Sequence, residues 1–234
     1  MGQRREPSLE ERAAVHAALG DPLRLSIVDE LARSDRSPTD LASLLGVAPP
    51  LVAFHLDTLE RVGLIRRIRS SGDRRRRYVQ LVETMPTEVA IGPIQRTGTM
   101  TFVCTHNSAR SQLAAALWRR LLGGPARSAG TEPAEVVHPG AVAAARRNGL
   151  DLSASSPSRY RPTDDEFVVT VCDRAREQLD ERTPASWHWS LPDPTVDGTD
   201  AAFDDTIVSI RRRISLLQRA GTQPTVPIAV PEDP

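Results

Sequence analysis

The chain has 234 residues, with 30 basic side chains balanced by 30 acidic ones, and every basic residue is an arginine. That length holds two domains of about 100 residues, each able to bury a core. No apolar run approaches the roughly 18 residues that cross a bilayer, and Arg4-Arg5 is not followed by a hydrophobic signal core, so a cytoplasmic location is expected. Two cysteines far apart in such a compartment are expected to be reactive rather than a structural disulfide.

Ser8 with Glu11 is a capping box that starts a helix over Leu9–Leu19, ended by Gly20. Asp21-Pro22 caps a second helix, with Leu23, Ile27, Val28 and Leu31 on one face, and Ser37-Pro38 caps a third over Thr39–Leu45, broken at Gly46. A fourth runs from Pro49-Pro50 to Arg61, with Leu51, Val52, Leu56 and Leu59 as its predicted core face. The short Gly-containing turn between the last two suggests a helix-turn-helix. Leu64–Arg69 and Arg74–Leu81, either side of Ser70-Ser71-Gly72-Asp73, predict a hairpin that reads as a wing. It carries Arg66, Arg67, Arg69, Arg74, Arg75, Arg76 and Arg77 against the single acid Asp73. Such a patch suits a nucleic-acid backbone and makes binding salt-dependent; the alternative is a solvated hairpin that only aids solubility.

Residues 10–82, above all LGDPLRLSIVDELA and DLASLLGVAPPLVAFHLDTLERVGLI, resemble the ArsR-like family of winged-helix repressors. The resemblance implies a homodimer, formed through the first helix, on palindromic operator DNA, with His55 matching a shared histidine and the wing arginines at the backbone. Two departures stand out. Ser37 and Thr39 occupy the positions of the thiolate pair of metalloid-sensing members, so that site is absent. Ala48, Pro49, Leu51 and Ala53 stand where relatives place polar, base-reading side chains, which leaves binding to the wing and to DNA shape, or leaves it lost.

Glu83–Thr99 holds two prolines and two glycines without sustained period and reads as a connection, with the linker proper at 83–98. Met100–Val103 then reads as a buried strand ending at Cys104, and six residues later Arg110 opens the amphipathic pattern Ser111–Leu122. In such a strand-loop-helix the loop amides turn inward and the helix dipole presents its positive end, so an anion nest forms and a cysteine at its mouth is expected to be a thiolate. Arg110 adds a two-pronged donor for a tetrahedral oxyanion, and Ser111 can hydrogen-bond the sulfur. The alternative is a buried structural cysteine at a strand end.

Further on, Ala126–Gly130 reads as a strand, His138-Pro139 to Asn148 as a helix, Phe167–Cys172 as a buried strand, Trp187–Leu191 as a fourth strand and Asp200–Ala220 as a long final helix. Strands alternating with helices imply a parallel sheet covered on both faces, with ligands at the carboxyl ends of strands, where both cysteines are placed. The Pro-rich Thr222–Pro234 reads as a disordered tail.

Val103–Gln112 resembles the phosphate loop of the low-molecular-weight protein tyrosine phosphatase fold, and most of all its arsenate reductase branch; the resemblance spans about Gly98 to Ala220. The expected fold is thus α/β: a winged helix-turn-helix domain over 1–82 and a three-layer parallel-sheet domain over 99–221. The resemblance implies that Cys104 attacks an oxyanion held by Arg110 and by the loop Thr105, His106, Asn107, Ser108 and Ala109, with Ser111 supporting the thiolate. Asp193, in Asp193-Pro194, matches the acid that protonates the departing oxygen, and Cys172 matches a second cysteine that attacks the first. Leu179 stands where thioredoxin-coupled members have a third cysteine. Two routes stay open: a Cys104–Cys172 disulfide reduced by an external dithiol such as thioredoxin, or attack by a low-molecular-weight thiol with its redoxin. His106 resembles the branch that uses the small thiol. No bound cofactor and no metal are expected.

The two resemblances together imply an arsenate reductase fused to an arsenic-responsive DNA-binding regulator. A tyrosine phosphatase is the first alternative, opposed by Thr195 after Asp193-Pro194, where an aromatic would line an aryl pocket. The second is a non-catalytic repressor that senses an oxyanion or an oxidant.

Overall fold

The structure, a computed structural model, describes residues 8–82, 98–179 and 187–221; the tail and the linker apart from Gly98 lie outside the described residues. The N-terminal domain comprises α1 (Leu9–Leu19), α2 (Pro22–Arg33), α3 (Pro38–Leu45), α4 (Pro49–Arg61), β1 (Ile65–Arg69) and β2 (Arg77–Leu81). Both halves of the predicted capping box form, with Glu11 N–H donating to Ser8 Oγ at 3.2 Å and Ser8 N–H to the Glu11 carboxylate at 2.7 Å. Gly46, at φ +64°, lets the chain turn, and it bends by 116° between α3 and α4. Ile27, Val28, Leu31, Leu41, Val52, Leu56, Leu59 and Val79 close the core. Leu51, expected on that face, is exposed instead, because α4 presents Val52, His55, Leu56 and Leu59 inward.

The hairpin forms antiparallel, with Arg69 opposite Arg77, so the second strand starts three residues later than expected and Arg74–Arg76 belong to the turn. That turn does not project into solvent alone. Ser71 donates its N–H and Oγ–H to Asp173 Oδ2 at 2.6 and 3.0 Å, while Ser70 Oγ and Asp73 N–H donate to Glu177, each at 2.6 Å. A side chain at Gly72 would collide with the Glu177 carboxylate, so glycine permits the close approach.

The C-terminal domain follows as β3 (Thr99–Cys104), α5 (Arg110–Leu122), β4 (Ala126–Gly130), α6 (Pro139–Arg147), β5 (Glu166–Thr170), α7 (Asp173–Leu179), β6 (Trp187–His188), α8 (Pro194–Asp197) and α9 (Asp200–Gly221). The sheet order is β4-β3-β5-β6, all parallel. α5 packs on β3 and β4 and against α9, which also covers α6, whereas α7 packs on β3 and β5. Phe102 sits between Trp118 and Trp189, each ring centroid 5.7 Å away, at the centre of this larger core. Two boundaries differ from expectation. β5 ends at Thr170, leaving Cys172 in the turn into α7, a helix too short for its periodicity to show in the sequence; and β6 is only two residues long, because residues 189–191 leave the sheet.

Candidate active site

Cys104 closes β3 at the centre of the parallel sheet, where the strand order reverses and a crevice opens beyond the carboxyl ends. The loop from Thr105 to Ala109 folds back over it. Its carbonyls face outward: those of Thr105, His106 and Ser108 accept from the N–H groups of Glu132, Ala134 and His138 at 2.8 to 2.9 Å. The Asn107 amide shows the opposite direction, donating to Cys104 Sγ at 3.2 Å. Asn107 adopts φ +49°, a left-handed conformation that asparagine tolerates better than most residues. Gly130, at the end of β4, admits this loop; a Cβ there would lie 2.7 Å from Thr105 O.

Asn107 then organises the sulfur's surroundings. Ser158 N–H donates to its Oδ1 at 2.8 Å, which fixes the amide orientation, so Nδ2 donates to Ser111 Oγ at 2.8 Å. With its lone pair so engaged, the Ser111 hydroxyl is free to direct its hydrogen at Cys104 Sγ, 3.0 Å away. The Asn107 amide and the Ser111 hydroxyl thus converge on one sulfur. Helix α5 begins here without a side-chain cap, its N-cap being Ala109, which leaves its first amides to an anion.

Arg110 is 6 % exposed and points its fork across the mouth: Nη1 donates to Leu191 O at 3.1 Å and Nη2 to Asp193 Oδ2 at 2.6 Å. Asp193 itself caps α8 through Thr195 N–H. The predicted nucleophile, clamp and acid therefore converge. Cys172 joins them from the turn between β5 and α7, buried, with Sγ 3.4 Å from Thr105 Oγ1. Burial pushes its thiol up, opposed by the Arg110 guanidinium and reinforced by Cys104. His106 is exposed, its ring 3.1 Å from Glu132 O, so it lies on the rim and not in the nest.

Of two further groups here, His188 is expected from the sequence either to tune the site or to serve structure, and Asp173 is not expected at all. Asp173, directly after Cys172, is buried and bonds both the wing and His188 Nε2 at 3.1 Å, and these hydrogen bonds outweigh burial to hold its carboxyl down at about 2. His188, also buried, reaches Thr170 Oγ1 with its other nitrogen at 2.9 Å and packs against Tyr78 of β2, the ring centroids 4.6 Å apart and the planes tilted by 53°. Neither carries a local motif; only the fold brings them together.

Of the residues expected at DNA, His55 requires correction. It is 6 % exposed, 3.7 Å from the Asp21 carboxylate, because it lies on the core side of α4. Arg66 bonds Gln80, Arg67 pairs with Asp57 and Glu60, and Arg75 with Asp73, while Arg69, Arg74, Arg76 and Arg77 are exposed. The outward face of the helix-turn-helix is apolar, with Leu44, Leu51 and Phe54 at 56, 43 and 62 % exposure, in line with the missing base-reading groups.

Comparison with known proteins separates the chain into the same two parts. Residues 99–223 match the family described as low molecular weight phosphotyrosine protein phosphatase, and residues 19–68 match a helix-turn-helix domain. An arsenate reductase of Bacillus licheniformis is 34 % identical over 110 residues, covering 44 % of this chain and 78 % of that protein. One of Halalkalibacterium halodurans is 33 % identical over 133 residues, covering 51 % and 94 %. A solved arsenate reductase in the phosphate binding state is 27 % identical with a TM-score of 0.43, covering 53 % of this chain and 98 % of its own.

Proposed function

Because the chain belongs to the low molecular weight phosphotyrosine protein phosphatase family, we propose that its C-terminal domain is an arsenate reductase and that the attached helix-turn-helix domain is a DNA-binding regulator of arsenic resistance. The observation that carries this reading is the second thiol. A phosphatase needs only Cys104, Arg110 and Asp193, whereas Cys172 stands beside them under Thr105, a group that ester hydrolysis does not use.

Arsenate enters the nest as a tetrahedral oxyanion, its oxygens taken by the amides of Thr105–Arg110 and by the Arg110 fork. Arg110 then exchanges Asp193 for the substrate, and the released carboxylate takes up a proton from solvent and passes it to the departing oxygen. Cys104 Sγ attacks arsenic, forming an S–As bond as water leaves. A second thiolate, from Cys172 or a small thiol, attacks Cys104 Sγ; an S–S bond forms, the S–As electron pair stays with arsenic, and arsenite departs. Two thiols are oxidised as arsenic(V) becomes arsenic(III), and an external thiol reductant, thioredoxin or a low-molecular-weight thiol with its redoxin, restores them. The reading places the protein in the reducing cytoplasm, as a homodimer through α1, whose Leu9 is 73 % exposed.

The test supplies arsenate with thioredoxin and its reductase in one reaction, and with a small thiol and its redoxin in another, and measures arsenite. Arsenite that needs both Cys104 and Cys172 establishes an intramolecular relay. Arsenite only with the small thiol, surviving Cys172→Ala, establishes the external route. Turnover by Cys104→Ser, or none by the native chain in either system, overturns the reading.

A further inference from the structure

Resting on the acid role of Asp193 above, we propose that Asp35, a residue of the helix-turn-helix domain, is a positioning residue for the catalytic domain's acid. The acid loop leaves the sheet from β6, an edge strand of two residues, and its last sheet contact is Trp189 N–H to Thr170 O at 2.8 Å. So short an edge cannot by itself fix the loop beyond it. The other side of this segment is bound by the end of α2. Asp35 N–H donates to His188 O at 2.7 Å, His188 N–H to Ser34 Oγ at 2.8 Å, and Trp189 Nε1–H to Arg33 O at 2.9 Å.

At Ser190 the N-terminal domain takes over both backbone groups. Ser190 N–H donates to Asp35 Oδ2 at 2.6 Å, and Gln80 Nε2 of β2 donates to Ser190 O at 2.9 Å and to Asp35 Oδ2 at 2.8 Å. Arg213 of α9 closes the cluster on both Asp35 oxygens, at 2.9 and 2.7 Å. Asp35 is 1 % exposed, so its charge-assisted bond to Ser190 acts where water does not compete.

Three residues on is Asp193. Between the two, Arg110 holds Leu191 O and the Asp193 carboxylate, so the loop is pinned at one end by Asp35 and at the other by Arg110. An arriving oxyanion recruits the Arg110 fork and loosens that second pin. The Asp35 end is the one that persists through turnover, and it keeps Asp193 within proton reach of the departing oxygen. The regulator domain is thereby part of the catalytic framework.

The full-length chain is compared with Asp35→Asn, Asp35→Ala, Gln80→Leu, Asp193→Asn and the Asp35→Asn/Asp193→Asn double variant. Gln80→Leu guards against misfolding, since it leaves the Asp35–Arg213 pair in place. Hydrogen exchange should rise across 187–193 in the Asp35 and Gln80 variants while 104–112 stays protected. For arsenate turnover, Asp35→Asn should lower kcat by about tenfold to a hundredfold, as expected for a misplaced proton donor, with KM unchanged. That loss should vanish in the Asp193→Asn background, which a merely destabilising change would not do. Unchanged exchange across 187–193 in both Asp35→Ala and Gln80→Leu overturns the proposal, as does a loss that persists in the double variant. A native chain that makes no arsenite removes the proposed reaction, and the exchange arm still decides the placement of the loop.

Discussion

Asp193 Oδ2 lies 2.6 Å from Arg110 Nη2, so the groups assigned to bind and to protonate the oxyanion occupy each other before it arrives. Their separation can be read in kinetics. Asp193→Asn keeps a hydrogen-bonding partner for Arg110 but has no proton to give, so kcat should fall about 10²- to 10⁴-fold, the usual span for a general acid. Arg110→Lys keeps the charge and loses the fork, so it should raise KM for arsenate as well as lowering kcat. Steady-state arsenite production separates the two; a normal KM in Arg110→Lys would place the oxyanion elsewhere.

Asn107 combines a left-handed backbone with side-chain bonds that aim Ser111 at the sulfur. Asn107→Gly retains the backbone conformation and loses the bonds; Asn107→Ala loses both. Each should slow turnover, and Asn107→Ala should in addition melt lower, the extra cost being about 1 kcal/mol for alanine at positive φ. Equal melting of the two would mean that the loop relaxes out of that conformation.

The sequence discloses the elements with their own local chemistry. The boundaries of α1 and α4 and the start of β4 fall where caps and turn residues place them, and the nest is legible because strand, turn residues, Arg110 and helix are contiguous. Contacts between distant segments leave no such trace. Ser71 with Asp173, or Asp35 with Ser190, are single polar residues whose meaning lies wholly in the docking of the two domains. The placement of His55 failed for a different reason: it rested on the resemblance alone, whereas the predicted core face of Val52, Leu56 and Leu59 already enclosed position 55.

The wing supplies a test of the DNA-binding half. Arg74 and Arg77 are exposed, and removing either should weaken duplex binding uniformly across sequences and reduce the salt slope by about 1 per lost phosphate contact. His55→Ala, buried against α2, should lower the melting temperature and leave that slope alone. Binding measured on unrelated duplexes across a salt series distinguishes these; a slope insensitive to Arg74 and Arg77 would assign the wing to solubility alone.

Asp173 makes the domain contact sensitive to acid. Its carboxyl is held at about 2, against an ordinary 3.8, by hydrogen bonds from His188, Ser190 and Ser71 that overcome its burial. A group depressed on folding stabilises the native state fully above its unfolded value, and that contribution is lost as pH falls from about 3.8 through about 2. The amount at stake is about 2 kcal/mol by the usual conversion. Because the same carboxylate receives Ser71, protonation should also release the wing tip from α7. Asp173→Asn should therefore be less stable than the native chain at neutral pH, and the gap between them should narrow as pH falls below about 3.8 and close only as it passes through about 2. Urea titrations at several pH values measure this, and a gap independent of pH would show that the group contributes shape and not charge.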